Sequence, residues 1–192
     1  MFKGIIVGIL LGFVFVFLGA YLYFSGGHAP VATDSPEMPF EHKLAHMALN
    51  AYIDKQPHPN SPVPGDEANY LAGAKVYKEN CAVCHGLPGE PKTAIAEGMF
   101  PRPPQLLKGK GVTDDEVWET YIKVVGGIRM TGMPGFKSRL SDTQMWQVSV
   151  LMHDADKLPA SVKAELSPTP AATPAAATAP AKAEEPAHTH AH

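Results

Sequence analysis

The reactive groups of this chain are concentrated in one short run, Cys81-Ala82-Val83-Cys84-His85. Two thiols three positions apart can each form a thioether with one vinyl group of a porphyrin. The adjacent imidazole can then ligate the iron, and C-x-x-C-H is accordingly the attachment signature of a c-type haem. The same cysteine pair admits three other readings. A thioredoxin-like dithiol wants a strand before it and a helix starting at it, whereas here a helical pattern ends at Asn80. A structural zinc site needs two further ligands, and the chain has no second cysteine pair. A plain disulfide leaves His85 without a role.

An iron that only exchanges electrons takes a sixth ligand from a distant part of the chain. The segment from Arg129 to Phe136, with Met130, Gly132, Met133, Pro134 and Gly135, offers a soft thioether in a Gly/Pro-rich loop. Met130 and Met133 are both within it. His/Met ligation raises the potential relative to two imidazoles and fills both axial positions, which leaves no open site for oxygen or peroxide.

With these residues in place, the stretch from Asp66 to Pro159 resembles the class I cytochromes c. Gly73 and Tyr77, eight and four residues before Cys81, stand where that family lets its first helix cross closely against its last. Pro104-Gln105-Leu106 is similar to the family's Pro-x-Leu segment, and the resemblance implies that the Pro104 carbonyl accepts a hydrogen bond from the proximal imidazole, a contact that orients such a ligand. Gly132-Met133-Pro134 resembles the loop of the axial methionine, so the resemblance favours Met133 as the ligand and leaves Met130 to packing. Trp146 and Val150 stand in the last helix, where the family packs against the first. The implied fold is all-α, helices and Gly/Pro loops around one haem c.

The surroundings of such a group have two readings each. Arg102 and Arg129 are candidates to pair with haem propionates through their guanidinium forks, or are simply solvated. Trp118 and Tyr121, one turn apart, are expected against the macrocycle, in the core, or both. Met99 and Met145 read as core or surface residues. His42 and His46 have i,i+4 spacing without an evident third ligand and read as surface histidines. His153 could in principle take the methionine's place, but it lies in the last helix where the family expects an exposed position. The terminal His188, His190 and His192 could bind copper or zinc weakly.

The elements that hold these groups follow from periodicity and punctuation. Helices are expected near 66–80, 114–126 and 142–154. The second is assigned a capping box from Thr113 and Glu116, and the third one from Ser141 and Gln144. Phe40, Leu44, Met47, Ala48, Ala51 and Tyr52 recur at helical spacing and predict an amphipathic helix near 37–54. Pro57, Pro59, Pro62 and Pro64 then predict an extended strap. Ahead of all this, Gly4 to Phe24 is a run of 21 residues without a charge, a proline or an amide. As a helix it spans roughly 30 Å, the hydrocarbon thickness of a bilayer. Tyr21 and Tyr23 suit the far interface, and Lys3 with the terminal amine predicts a cytoplasmic N-terminus. The run is too long for a cleaved signal peptide, and Gly27-His28-Ala29 makes a poor cleavage site.

The expected organisation is an anchor at 1–25, a tether at 26–65, a haem domain at 66–159 and a tail at 160–192. Ala and Pro make up 15 of the last 26 residues, so little apolar surface is available to offset ordering, and disorder is expected there. The 192 residues suffice for one domain with appendages. A net charge of −3 gives no basic excess, so no nucleic-acid partner is expected. Two cysteines exclude a disulfide-rich scaffold. The sequence thus predicts a membrane-tethered single-electron carrier outside the cytoplasmic membrane, without enzymatic activity of its own. Its partners would be the bilayer, through residues 4–24, and a membrane or periplasmic redox donor and acceptor. A cytochrome subunit of a larger oxidoreductase and a haem-based ligand sensor are the alternatives.

Overall fold

The computed structural model describes residues 2–107 and 113–168. The described residues contain eight helices and no strand: α1 (Phe2–Ser25), α2 (Glu41–Ile53), α3 (Glu67–Asn80), α4 (Ala82–His85), α5 (Ala94–Glu97), α6 (Val117–Gly126), α7 (Asp142–His153) and α8 (Ala160–Glu165). α1 is long and apolar enough to cross a membrane, and none of its side chains is buried within the protein.

The core forms where α3 crosses α7. Ala74, Val76 and Tyr77 of α3 pack in one cluster with Met145, Val148, Leu151 and Met152 of α7. Gly73 permits the approach: a Cβ there would sit 2.4 Å from the Gln147 carbonyl oxygen and 3.2 Å from Leu151 Cβ. Because the obstacle is backbone, the helices would have to separate. Gly73→Ala should therefore cost at least about 2 kcal/mol, within the overpacking range, measured by denaturant unfolding of the haem-loaded protein. Polar contacts hold the crossing at its edges. Tyr70 donates to Asp154 at 2.8 Å, and Gln147 Nε2 donates to Asn69 Oδ1 at 3.0 Å.

The starts of α3 and α7 follow local capping. Asp66 accepts from the Asn69 N–H, and Ser141 with Gln144 forms the expected capping box in full. The expected box at Thr113 and Glu116 does not form. α6 begins at Val117, with Glu116 itself as an N-cap that makes no side-chain bond. The preceding turn is claimed from outside: Asp115 pairs with Lys123, and its carbonyl lies 2.8 Å from His153 Nδ1. His153 is thereby half-buried rather than exposed as expected. Trp146 also faces α6 and stacks on Tyr121 with ring centroids 3.8 Å apart, while α3 is met by Gln147 and Leu151.

The expected border at Pro159 falls too early. α8 lies beyond it, and its Val162, with Leu166 just after, is fully buried in the α3–α7 core. Lys78 of α3 donates to the Glu165 carbonyl at 2.9 Å and pairs with its carboxylate. Leu166→Ala should cost about 2–5 kcal/mol, the usual range for a buried leucine, read as a lowered denaturation midpoint. The Ala/Pro tail beyond Pro168 and its histidines lie outside the described residues.

Candidate haem-binding site

Cys81 closes α3 and opens α4. Its N–H donates to the Tyr77 carbonyl at 2.8 Å, and its own carbonyl accepts from Cys84 N–H at 3.0 Å and His85 N–H at 2.8 Å. This single turn puts both thiols and the imidazole on one short segment that is continuous with a core helix. Gly86 leaves the turn at φ 77°, a backbone conformation that glycine adopts without strain, and its carbonyl accepts from the Tyr77 hydroxyl at 2.8 Å. The Thr93 hydroxyl donates to the Val83 carbonyl at 2.6 Å while accepting from Ala96 N–H at 3.1 Å, so the cap of α5 also clasps α4.

His85 Nδ1 lies 2.7 Å from the Pro104 carbonyl oxygen. A carbonyl only accepts, so Nδ1 carries the proton and Nε2 keeps its lone pair. Burial lowers the imidazole's pKa, against the opposing pull of that hydrogen bond, and keeps the ring in the neutral form that ligates metals. Cys81 has the opposite character from the reactive thiol of a redox dithiol. Burial, and then the neighbouring Cys84, pushes the Cys81 thiol up to about 12, whereas thioredoxin-like pairs depend on a lowered thiol pKa. Both cysteines are free thiols, and no group of three or more His, Cys, Asp or Glu side chains among the described residues could hold a metal ion. Two half-buried thiols beside an imidazole with a free Nε2 are a donor set that fits a covalently attached iron porphyrin.

Met133 stands in a loop closed by its own hydrogen bonds. Ile128 N–H donates to the Met133 carbonyl at 3.1 Å, and Met133 N–H donates to Thr131 Oγ1 at 3.1 Å. Phe136 N–H donates to the Val124 carbonyl at 2.9 Å, which ties the loop's far end to α6. At Gly127, φ 66°, a Cβ would lie 2.4 Å from Gly135 N, so the two sides of the loop touch. Met133 is half-buried against the core cluster. Met130, expected to pack, is 92% exposed instead: its own φ of 61° places it at the loop's outer bend.

Met99, considered in the sequence only as a core or surface residue, lies against this loop; a Cβ at Gly132 would meet its methyl carbon. The segment leading to Pro104 therefore packs on the segment carrying Met133. Arg102 and Arg129 are exposed, and among the described residues neither forms an ion pair. Trp118 stacks on His58 of the Pro-rich strap, with centroids 3.9 Å apart, and Tyr121 packs against the core. Tyr121 also donates to Asp142, which, ahead of burial, pushes its hydroxyl up to about 12. His42 and His46 are exposed neighbours, with ring centroids 4.2 Å apart.

A helical domain with a C-x-x-C-H turn against a Pro-x-Leu segment, and a methionine in a closed Gly/Pro loop, has the form of a c-type electron carrier. Residues 68–152 match the family described as cytochrome c oxidase, cbb3-type, subunit III. Cytochrome c6 of Limnospira maxima is 34% identical over 83 residues, which cover 89% of that protein and 43% of this chain. The chain belongs to the class I cytochrome c family, and with it to electron transport through covalently bound haem c. Two longer proteins are also similar. The thiosulfate dehydrogenase of Thiomonas intermedia (strain K12) is 26% identical over 149 residues, 73% of this chain and 45% of that protein. The cytochrome c subunit of the quinone alcohol dehydrogenase of Gluconobacter oxydans (strain 621H) is 35% identical over 103 residues, 48% of this chain and 20% of that protein. The chain thus spans less than half the length of either.

Proposed function

We propose that this chain is a membrane-tethered single-electron carrier with one haem c, joined through Cys81 and Cys84 and ligated axially by His85 and Met133. The observation that supports this most directly is the His85 Nδ1 contact with the Pro104 carbonyl, which leaves Nε2 free on the turn that also carries both thiols. The haem, when bound, supplies a one-electron iron couple. The chain does the rest. Pro104 holds His85 in one tautomer, and the loop of Gly127, Thr131 and Gly135 holds Met133, so that neither ligand needs to move as the charge changes. Arg102, Arg129, Trp118 and Tyr121 complete the surroundings in this reading. Held by His85 and Met133, the haem would have no open site for substrate, so the domain would relay electrons rather than catalyse a reaction of its own.

In the same reading residues 1–25 anchor the chain, 26–65 tether it, and the haem domain runs from 66 through Leu166, outside the cytoplasmic membrane. Tethering confines the carrier near the bilayer and raises its effective concentration towards membrane-bound donors and acceptors. Between 66 and 158 the sequence has 12 acidic and 11 basic side chains, so long-range steering by net charge is weak. A second reading, a cytochrome subunit within a larger oxidoreductase, is favoured by the Gluconobacter relative, itself named as such a subunit. Visible spectra of the membrane fraction, oxidised, reduced and after carbon monoxide, combined with haem staining of a denaturing gel, test the proposal. Stain that stays with the band and a low-spin spectrum indifferent to carbon monoxide are the expected result. Covalent haem that binds carbon monoxide readily would instead point to a ligand sensor. Co-purification of the chain in a stoichiometric complex would favour the subunit reading.

A further inference from the structure

α2 has apolar residues on two opposite sides. Leu49 and Ile53 lie on one, and they are half-buried and buried respectively, so they pin the helix to the protein. Leu44, Met47 and Ala51 follow one another at helical spacing on the other side, preceded by Phe40, the N-cap residue in left-handed backbone. Leu44 is 55% exposed and Met47 59%, so this stripe is bare along roughly two turns, with Phe40, 74% exposed, just ahead of it. No charged residue interrupts it. Lys43 flanks it, His42 and His46 stand further round, and Glu41 is the helix's one acid, its carboxylate occupied by the Met38 N–H at 2.8 Å.

Chain position identifies what covers the stripe. Fifteen residues, 26–40, separate α1 from α2. Fully extended they would reach roughly 50 Å. They are far from extended: Gly26 and His28 fold back on α1 through bonds to the Leu22 and Tyr23 carbonyls, and Ser35 and Glu41 bond back to Ala32 and Met38. Residues 30–37 also wrap a cavity of about 160 Å³ together with Glu41 and Phe100 of the haem domain. A compact connection keeps α2 close to the end of α1, where the bilayer surface lies. A bare stripe of leucine and methionine beside Lys43 suits a helix lying in a lipid interface, the lysine turned towards the headgroups.

We propose that α2 is an interfacial helix that rests its Leu44–Met47–Ala51 stripe on the lipid surface, giving the haem domain a second attachment and restricting its orientation. This rests on the reading of α1 as a membrane anchor, and the experiment separates the two. The full haem-loaded chain is reconstituted into vesicles of phosphatidylcholine and phosphatidylglycerol, and a carbene-generating apolar reagent dissolved in the lipid is photolysed. Mass spectrometry then maps the label. The expected result is label in both the 2–25 and 38–54 peptides, with label in the second falling at least about fivefold in Leu44→Glu/Met47→Glu while the first is unchanged. Label confined to 2–25 overturns the inference and leaves the anchor intact. Label in neither peptide overturns both. A crosslinked dimer joined through α2, with that helix unlabelled, would show that a second copy of the chain covers the stripe, and overturns the lipid assignment.

Discussion

Replacing Cys81 and Cys84 together by serine is expected to remove haem staining from the denatured band while leaving the polypeptide present. The reason is chemical. Serine hydroxyls do not add to the vinyl groups under the conditions in which thiols do, so any haem that remains is held only by axial ligation and is lost on denaturation. The consequence extends to the fold, because Cys81 is at once the last turn of α3 and the first of α4, and half-buried against the core. The double variant should therefore also lose cooperative unfolding at the temperature where the parent is still native. Undiminished stain in the double variant would falsify the assignment of this turn as the attachment site. Each single variant should retain one thioether and a weaker band, which distinguishes loss of attachment from loss of expression.

Met133→Ala is expected to leave the haem attached and open the sixth position. Three changes should appear together: loss of the far-red methionine–ferric band, ready binding of carbon monoxide to the ferrous form, and a lower reduction potential. The drop should be on the order of 0.1 V or more, given that axial ligands tune haem over roughly 0.8 V. Because the backbone of the loop is held by Thr131, Gly127 and Phe136 rather than by the Met133 side chain, the variant should still fold. Met130→Ala serves as the internal control. Its side chain stands in solvent, and the same measurements should leave it indistinguishable from the parent. An unchanged potential and continued refusal of carbon monoxide in Met133→Ala would move the ligand elsewhere.

How much of this was legible in the sequence depended on the range of the interaction. The capping box at Ser141 and Gln144 is closed between residues three apart, and it forms as read. Thr113 and Glu116 have the same spacing and do not form one, because Lys123 and His153 reach the intervening Asp115 from eight and thirty-eight residues away. α8 was hidden for a related reason. Ala160 to Glu165 has little helical signal beside an Ala/Pro tail, and what makes it an element is a groove on α3 that accepts Val162 and Leu166. The amphipathic stripe of α2 was visible as a period, but a period does not say which way it faces. The His58–Trp118 stack, joining the Pro-rich strap to α6, has no signal in either residue alone. The turn of Cys81, Cys84 and His85 lies within one pentapeptide and is visible as a motif, and the Pro104 carbonyl meets His85 Nδ1 as the resemblance implied.

The double role of Cys81 also bears on how the cofactor and the core are linked. In the finished fold its sulfur lies where α3 turns into α4, flanked by the Tyr77–Gly86 bond and backed by the packed face of α7. About two turns earlier on the same helix, Gly73 leaves no room against α7 for even a methyl group. In the proposed reading a thioether at Cys81 would tie the haem to α3, the same helix that Gly73 locks against α7. The cofactor's attachment and the core's packing would then share one rigid element, and a change to either would be felt by the other.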